Sequence, residues 1–137
     1  MKTVLIVEDE PSNRKVFCEL LTMRGYGILE ATTSKEAIRA SEISSAPIDL
    51  ILCDLNLAEM AGTKLAQEIR KLHGNAAVLI VSGTPRDDWS KNAVDDFLKL
   101  PPERTDFLEK PFVPAALQSK IEALLREPSR MSVRRAP

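Results

Sequence analysis

Four short apolar runs mark out the first part of the chain: TVLIV at residues 3–7, YGILEA at 26–31, DLILC at 49–53 and AAVLIVS at 76–82. Each has strand length and is bounded or filled by residues that favour strands. Between them, apolar positions recur at helical spacing. Val16, Leu20 and Met23 form one stripe ending at Gly25; Ala37, Ile38 and Ile43 form a second ending before Pro47; Leu65, Ile69 and Leu72 form a third ending at Gly74. Start signals agree, because Pro11 suits a first helical turn and Thr33 with Glu36 has capping-box spacing. VLIV, LILC and the second VLIV are apolar at successive positions, as central strands covered on both faces must be. YGILEA is mixed and reads as an edge strand.

Farther along, the chain repeats a phrase: DFLKLPP at residues 96–102 and DFLEKPF at 106–112. The apolar residues Trp89, Ala93, Val94, Phe97 and Leu100 have helical spacing, so the first copy closes a fourth helix that Pro101 and Pro102 terminate. Pro114, Leu117, Ile121, Leu124 and Leu125 predict a fifth helix. With a helix on each side, the second copy becomes the fifth strand, and the two copies are similar wording for different structures. Strict β-α alternation with short connections predicts an α/β fold, a single domain spanning residues 1–126 with a doubly wound parallel sheet. Residues 127–137, EPSRMSVRRAP, lack periodicity and are expected to form a mobile tail.

Composition narrows the function classes. A chain of 137 residues has the length of one domain, and 19 basic against 20 acidic residues leave no electrostatic footprint for nucleic acid or a membrane surface. No apolar run approaches the roughly 20 residues of a membrane span, and the start of the chain does not resemble a signal peptide. Cys18 and Cys53 sit inside apolar runs and are expected to be buried free thiols, consistent with a reducing cytoplasm. His73, the only histidine, is expected to be solvated at the end of the third helix. Trp89 reads as a helix anchor, and Cys53 as core.

In open parallel sheets, ligands bind beyond the carboxyl ends of the strands. Those ends carry Glu8, Asp9 and Glu10 after the first strand, Asp54, Leu55 and Asn56 after the third, Ser82, Gly83 and Thr84 after the fourth, and Lys110 after the fifth. With strands one and three adjacent, as in the commonest such order, Glu8, Asp9 and Asp54 converge. Three carboxylates at close range repel one another unless a cation joins them. Oxygen donors without imidazole or thiolate favour Mg2+, with Mn2+ as the second choice. Metal and lysine together would draw charge from a phosphoryl group, making Asp54 a candidate carboxylate nucleophile toward phosphorus. Ser82 could hold a phosphoryl oxygen, and the Asn56 backbone carbonyl is a further candidate metal ligand.

The segments VLIVEDEPSNR, DLILCDLNLAEMAG, LIVSGT and DFLEKPF, in this order, resemble a response-regulator receiver domain of the chemotaxis-protein kind. The resemblance covers roughly residues 2–126. It implies a flavodoxin-like strand order 2-1-3-4-5. It also implies that Asp54 is the phospho-acceptor, that Glu8, Asp9, Asp54 and the Asn56 carbonyl hold Mg2+, and that Ser82 and Lys110 bind the phosphoryl group. Phe107 matches the aromatic that switches inward, Asn56 and Thr84 match positions that tune hydrolysis, and the Lys110–Pro111 bond matches one that is cis in the family. The implied partners are a sensor histidine kinase or phosphotransfer protein upstream and an unidentified protein target downstream, with a homodimer left open. Nothing after residue 126 reads as an output domain, so the effect is expected to pass by protein contact.

Three departures stand out. Ala58 replaces a usual proline, Ala61 replaces a usual acidic residue or asparagine before Gly62, and Lys110 follows Ser82 by 28 residues, several more than is usual. The added length is expected in the fourth helix and LPPERT. Two rival readings are a Mg2+-dependent phosphatase and a phosphorylation-independent interaction module. Against the first, Asp9 is followed by Glu10 and Pro11, where such phosphatases have D-x-D, and no cap domain fits. Against the second, the acids, hydroxyl and lysine are all retained.

Overall fold

Five strands alternate with five α-helices over residues 1–126, the residues described by the computed structural model. The expected tail at 127–137 lies outside the described residues. The strands are β1 (Thr3–Val7), β2 (Gly27–Ala31), β3 (Leu50–Asp54), β4 (Ala77–Ser82) and β5 (Thr105–Glu109). The helices are α1 (Pro11–Met23), α2 (Ser34–Ile43), α3 (Gly62–Arg70), α4 (Lys91–Leu98) and α5 (Pro114–Leu125). All strand pairs are parallel, in the order β2-β1-β3-β4-β5. The mixed run is therefore an edge strand, and the continuously apolar runs are central.

Side-chain alternation divides the core in two. Leu5, Val7, Ile51, Cys53, Val78 and Ile80 meet α2, α3 and α4 through Ala37, Leu65, Ile69 and Ala93. Val4, Ile6, Leu50, Leu52, Leu79 and Val81 face α1 and α5 through Phe17, Leu21, Leu117 and Ile121. Each fully buried aliphatic side chain contributes about 1.5–3 kcal/mol of transfer free energy, so three central strands covered on both sides hold most of the stability.

Local signals place the helices. Pro11 is at the first helical turn of α1, with the Glu10 side chain accepting the Ser12 N–H. That helix ends before Gly25, whose φ of 84° is the left-handed conformation that glycine adopts without a Cβ penalty. Thr33 caps α2 by accepting the Glu36 N–H at 3.0 Å, but the return arm from Glu36 goes to Thr32 instead of Thr33. Ala61, at the N-cap of α3, supplies no side-chain bond. The doubled phrase separates as expected, its first copy closing α4 and its second forming β5.

Several expectations are corrected. The buried face of α1 is Phe17 and Leu21, while Val16 is 45% and Met23 81% exposed. Two overlapping apolar stripes were available, and the sheet accepts the one carrying the Phe17 ring. Ile43 and Leu72 are exposed, the latter beyond the end of α3. Cys18 is only half-buried, unlike Cys53. Trp89 precedes α4, which Ser90 caps by accepting the Ala93 N–H. The additional length before β5 does not extend α4, which has only eight residues; short 3-10 turns flank it at Arg86–Asp88 and Pro102–Arg104.

His73 is also corrected. Its Nδ1 accepts the Ile48 N–H at 3.1 Å and its Nε2 lies 2.8 Å from the Ser41 carbonyl. An Nδ1 that accepts leaves the ring proton on Nε2, which donates to Ser41. The imidazole thus bridges the end of α2 to the approach to β3 instead of facing solvent.

Candidate functional site

The carboxyl ends of β1 and β3 lie side by side because Val7 registers with Cys53. One residue beyond Val7, Glu8 is almost fully buried, at 1% exposure. Its Oε2 accepts the Glu10 N–H at 3.1 Å, and its own N–H donates to the Ala31 carbonyl of β2. Asp54 ends β3, and its Oδ1 accepts the Asn56 N–H at 3.0 Å, which fixes the carboxylate at the mouth of the loop. Asn56 is bridged to Ala61, closing the loop. Gly62 then passes so close to β3 that a Cβ would strike the Asp54 carbonyl oxygen and Cys53 Sγ, so glycine is required sterically.

Glu8, Asp9 and Asp54 each offer a carboxylate oxygen, and these lie within 4.8 Å of one another. Lys110, in the bend just past β5, is held by its N–H donating to the Ser82 carbonyl at 2.8 Å. Its Nζ reaches Glu8 Oε1 at 3.1 Å and Asp54 Oδ2 at 3.2 Å. Burial pushes the Glu8 carboxyl up from its usual range, and the Glu10 N–H and Lys110 only partly offset it. Burial works against the Lys110 charge, but Asp54 and Glu8 outweigh it and raise the ammonium above its usual value. Three carboxylates and one ammonium leave a formal −3 + 1 = −2. A divalent cation matches that residual charge, and the all-oxygen donor set suits Mg2+ over softer metals.

Ser82 is buried at the end of β4, its Oγ accepting the Thr84 N–H at 2.9 Å. Asn56 Nδ2 reaches Thr84 Oγ1 at 3.4 Å, linking the β3 and β4 loops. Beside Gly83 a Cβ would meet nothing within 4 Å, so the space next to Ser82 is open. Phe107 points away from this cluster. It meets Trp89 and Phe97 edge to face, with centroids 5.6 and 6.1 Å away, on the α4 side of the sheet. The Lys110–Pro111 bond is cis.

Two supporting residues escaped sequence reasoning. Arg14 donates to the Glu8 carbonyl at 2.9 Å and pairs with Glu30 at 3.5 Å, bracing the acidic loop against β2. Glu59 accepts the Ser34 hydroxyl at 2.8 Å and lies 3.4 Å from the Ser34 N–H, tying the Asp54 loop to the start of α2. Arg14 lies inside a segment already singled out, one helical turn from Glu10, which was its only signal. Glu59 also lies inside such a segment, DLILCDLNLAEMAG, but nothing local pointed to its partner, which is 25 residues away.

Comparison with known proteins decides the family. Residues 4–122 match the family model for the response regulator receiver domain. The chain belongs to that family. A segment of the sensor kinase CckA of Brucella abortus (strain 2308) is 32% identical over 125 residues, covering 91% of this chain and 13% of that protein. The aerobic respiration control protein ArcA of Escherichia coli (strain K12) is 34% identical over 122 residues, covering 89% of this chain and 48% of that protein. This receiver chain thus spans less than half the length of either. Among solved structures, the CheY-like receiver domain protein from Methanospirillum hungatei JF-1 superposes with a TM-score of 0.76 at 27% identity, covering 91% of this chain and 94% of that one. The receiver domain of the hybrid histidine kinase CckA gives 0.73 at 29% identity, covering 90% and 99%. Like these, the chain has the CheY-type flavodoxin-like fold. Among the described residues, no helix is long and apolar enough to cross a membrane.

Proposed function

We propose that this receiver domain accepts a phosphoryl group on Asp54 from the phosphohistidine of a sensor histidine kinase or phosphotransfer protein, and that the modified surface contacts a downstream protein. An Asp54 carboxylate oxygen forms the new O–P bond as the P–N bond to the donor histidine breaks, and the bonding pair stays on the imidazole nitrogen. The single observation carrying this reading is the position of Lys110 Nζ between Glu8 and Asp54, 3.1 and 3.2 Å from their oxygens. An ammonium there can follow charge from the carboxylate onto the phosphoryl oxygens, because it already faces the nucleophile.

Glu8, Asp9, Asp54 and the Asn56 carbonyl would hold Mg2+, with Mn2+ able to substitute. When bound, the metal would offset the negative charge that the phosphoryl group brings to an acidic site. Ser82 would donate to one phosphoryl oxygen, Phe107 would respond as the switching aromatic, and Asn56 and Thr84 would govern access of water to the phosphate. The working place for this chemistry is the cytoplasm, where phosphohistidine donors and reduced thiols coexist.

Acetyl phosphate with Mg2+ tests the reading. Intact-mass spectrometry is expected to show one added phosphoryl group, absent without metal and absent in Asp54→Ala. Continuous release of phosphate from unrelated esters would favour a Mg2+-dependent phosphatase. No adduct with acetyl phosphate or beryllofluoride would leave a phosphorylation-independent interaction module. Loss of the adduct in Lys99→Ala but not Lys110→Ala would overturn the residue assignment.

A further inference from the structure

Trp89, the only tryptophan, joins three things that sequence spacing keeps apart. Its indole N–H donates to the Thr84 carbonyl at 3.1 Å. Thr84 also gives its N–H to Ser82 Oγ at 2.9 Å and receives the Asn56 side-chain amide on its hydroxyl at 3.4 Å. The indole ring meets Phe97 of α4 and Phe107 of β5 edge to face, with centroids at 5.4 and 5.6 Å. Arg86 covers the group, its guanidinium carbon 4.8 Å from the Trp89 ring and 5.5 Å from the Phe97 ring, while its N–H reaches Glu109 Oε1 at 3.3 Å. The 3-10 turn at Arg86–Asp88 delivers both residues to this position. A core anchor would need only the ring contacts. The hydrogen bond to Thr84 ties the ring to the backbone of the phosphoryl-facing turn.

We propose that Trp89 is a positioning residue that holds the Ser82–Thr84 turn in its resting arrangement, and that a phosphoryl group on Asp54 releases the indole from the Thr84 carbonyl. The inference rests on the phospho-acceptor reading above. Ser82 Oγ now serves the Thr84 N–H. When that hydroxyl turns to a phosphoryl oxygen, the Thr84 peptide loses its acceptor and the turn rearranges. The indole cannot follow the Thr84 carbonyl freely, because Phe97 and Phe107 bound its ring and Arg86 lies over it. The Trp89–Thr84 bond is therefore the one that opens, while the indole ring keeps its place against Phe97 and Phe107.

A lone indole gives a single N–H resonance, so NMR of the uniformly labelled protein reads the bond directly. With Mg2+ and beryllofluoride as the phosphoryl mimic, the indole resonance is expected to shift and its hydrogen exchange to accelerate by at least about tenfold. Trp89→Phe keeps an aromatic ring but removes the donor. A neutral hydrogen bond opposing the switched state implies roughly fivefold tighter beryllofluoride binding in that variant, followed by 19F NMR. An adduct that leaves the indole resonance and exchange unchanged would overturn the inference while the phospho-acceptor reading stands. So would a Trp89→Phe variant that loses stability without changing beryllofluoride affinity, the signature of a core anchor. If that variant does not fold, the wild-type indole measurement decides. Failure of any adduct to form in the wild type removes both readings together.

Discussion

At the amino-terminal end of the sheet, polar side chains tie backbone groups together; at the carboxyl end, three carboxylates also converge on one another. His73 joins Ile48 to Ser41, Asp49 Oδ2 accepts the Thr3 N–H at 2.8 Å, and Arg70 Nε donates to the Ala76 carbonyl at 2.9 Å. Arg104 reaches the carbonyls of Asn75 and Leu124. Across the sheet, Glu8 and Asp54 share Lys110 with the Asp9 carboxylate beside them, and Ala61 leaves α3 without a side-chain cap. One fold thus ties backbone groups together at one end of its strands and gathers excess negative charge at the other.

If that division holds, substitutions at the two ends differ in kind. His73→Leu leaves the Ile48 N–H and the Ser41 carbonyl, both on buried residues, without partners. The expected loss is about 2–3 kcal/mol in urea unfolding at unchanged m-value, from roughly 1–3 kcal/mol per unpaired buried group. The acidic end is not touched, so stabilisation by Mg2+ should persist. A variant as stable as the wild type would show that the histidine bridge is incidental.

The acidic end gives the next effect. A cation bound only by the folded state stabilises it by about 1.4 kcal/mol at ten times its dissociation constant. Mg2+ should raise the urea midpoint of the wild type and of His73→Leu equally, whereas Asp9→Asn should lose the response, because Asp9 supplies one of the three clustered carboxylates. An equal Mg2+ response in Asp9→Asn would place the cation elsewhere.

The missing cap allows a smaller gain. Ala61 has φ −67° and ψ 146°, the extended conformation of an N-cap residue. Ala61→Asn should add the absent side-chain acceptor and raise stability by about 1 kcal/mol without adding charge. No gain would mean that the Asn56–Ala61 bridge already satisfies this end of α3.

Legibility in the sequence divides along the same line. The strands, the central character of three of them and the carboxyl-end residues were readable because apolar runs and charged strand ends are local signals, whereas the strand order came from the family resemblance. The face of α1 was not, since Val16–Leu20 and Phe17–Leu21 have the same spacing and only the sheet chooses between them. His73 and Glu59 were misread or missed because their partners lie on other elements, 25 to 32 residues away. Trp89 was placed in the right cluster but on the wrong element, since the Ser90 cap starts α4 after it. Periodicity reports which residues are covered, and long-range hydrogen bonds decide what holds them there.

The mildest test contrasts two carboxylates at the acidic end itself. Glu8 is buried and its carboxyl is pushed up, whereas Glu36 is pulled down because the Thr32 N–H and hydroxyl, each at 2.8 Å, favour its charged form. The sign for Glu36 follows from its lowered value: its contribution to α2 is present above the ordinary carboxylate range and is lost as pH falls through the depressed folded value. The Glu36 side-chain carbonyl carbon should therefore titrate below the usual glutamate range in 13C NMR, with Thr32 amide protection fading over the same interval. In Thr32→Val the hydroxyl donor is gone, and the midpoint should move part-way back while the backbone donor remains. A Glu36 midpoint unchanged by that substitution would mean the hydroxyl contributes nothing, leaving the backbone N–H to hold the value down, while burial outweighs the donors that Glu8 has.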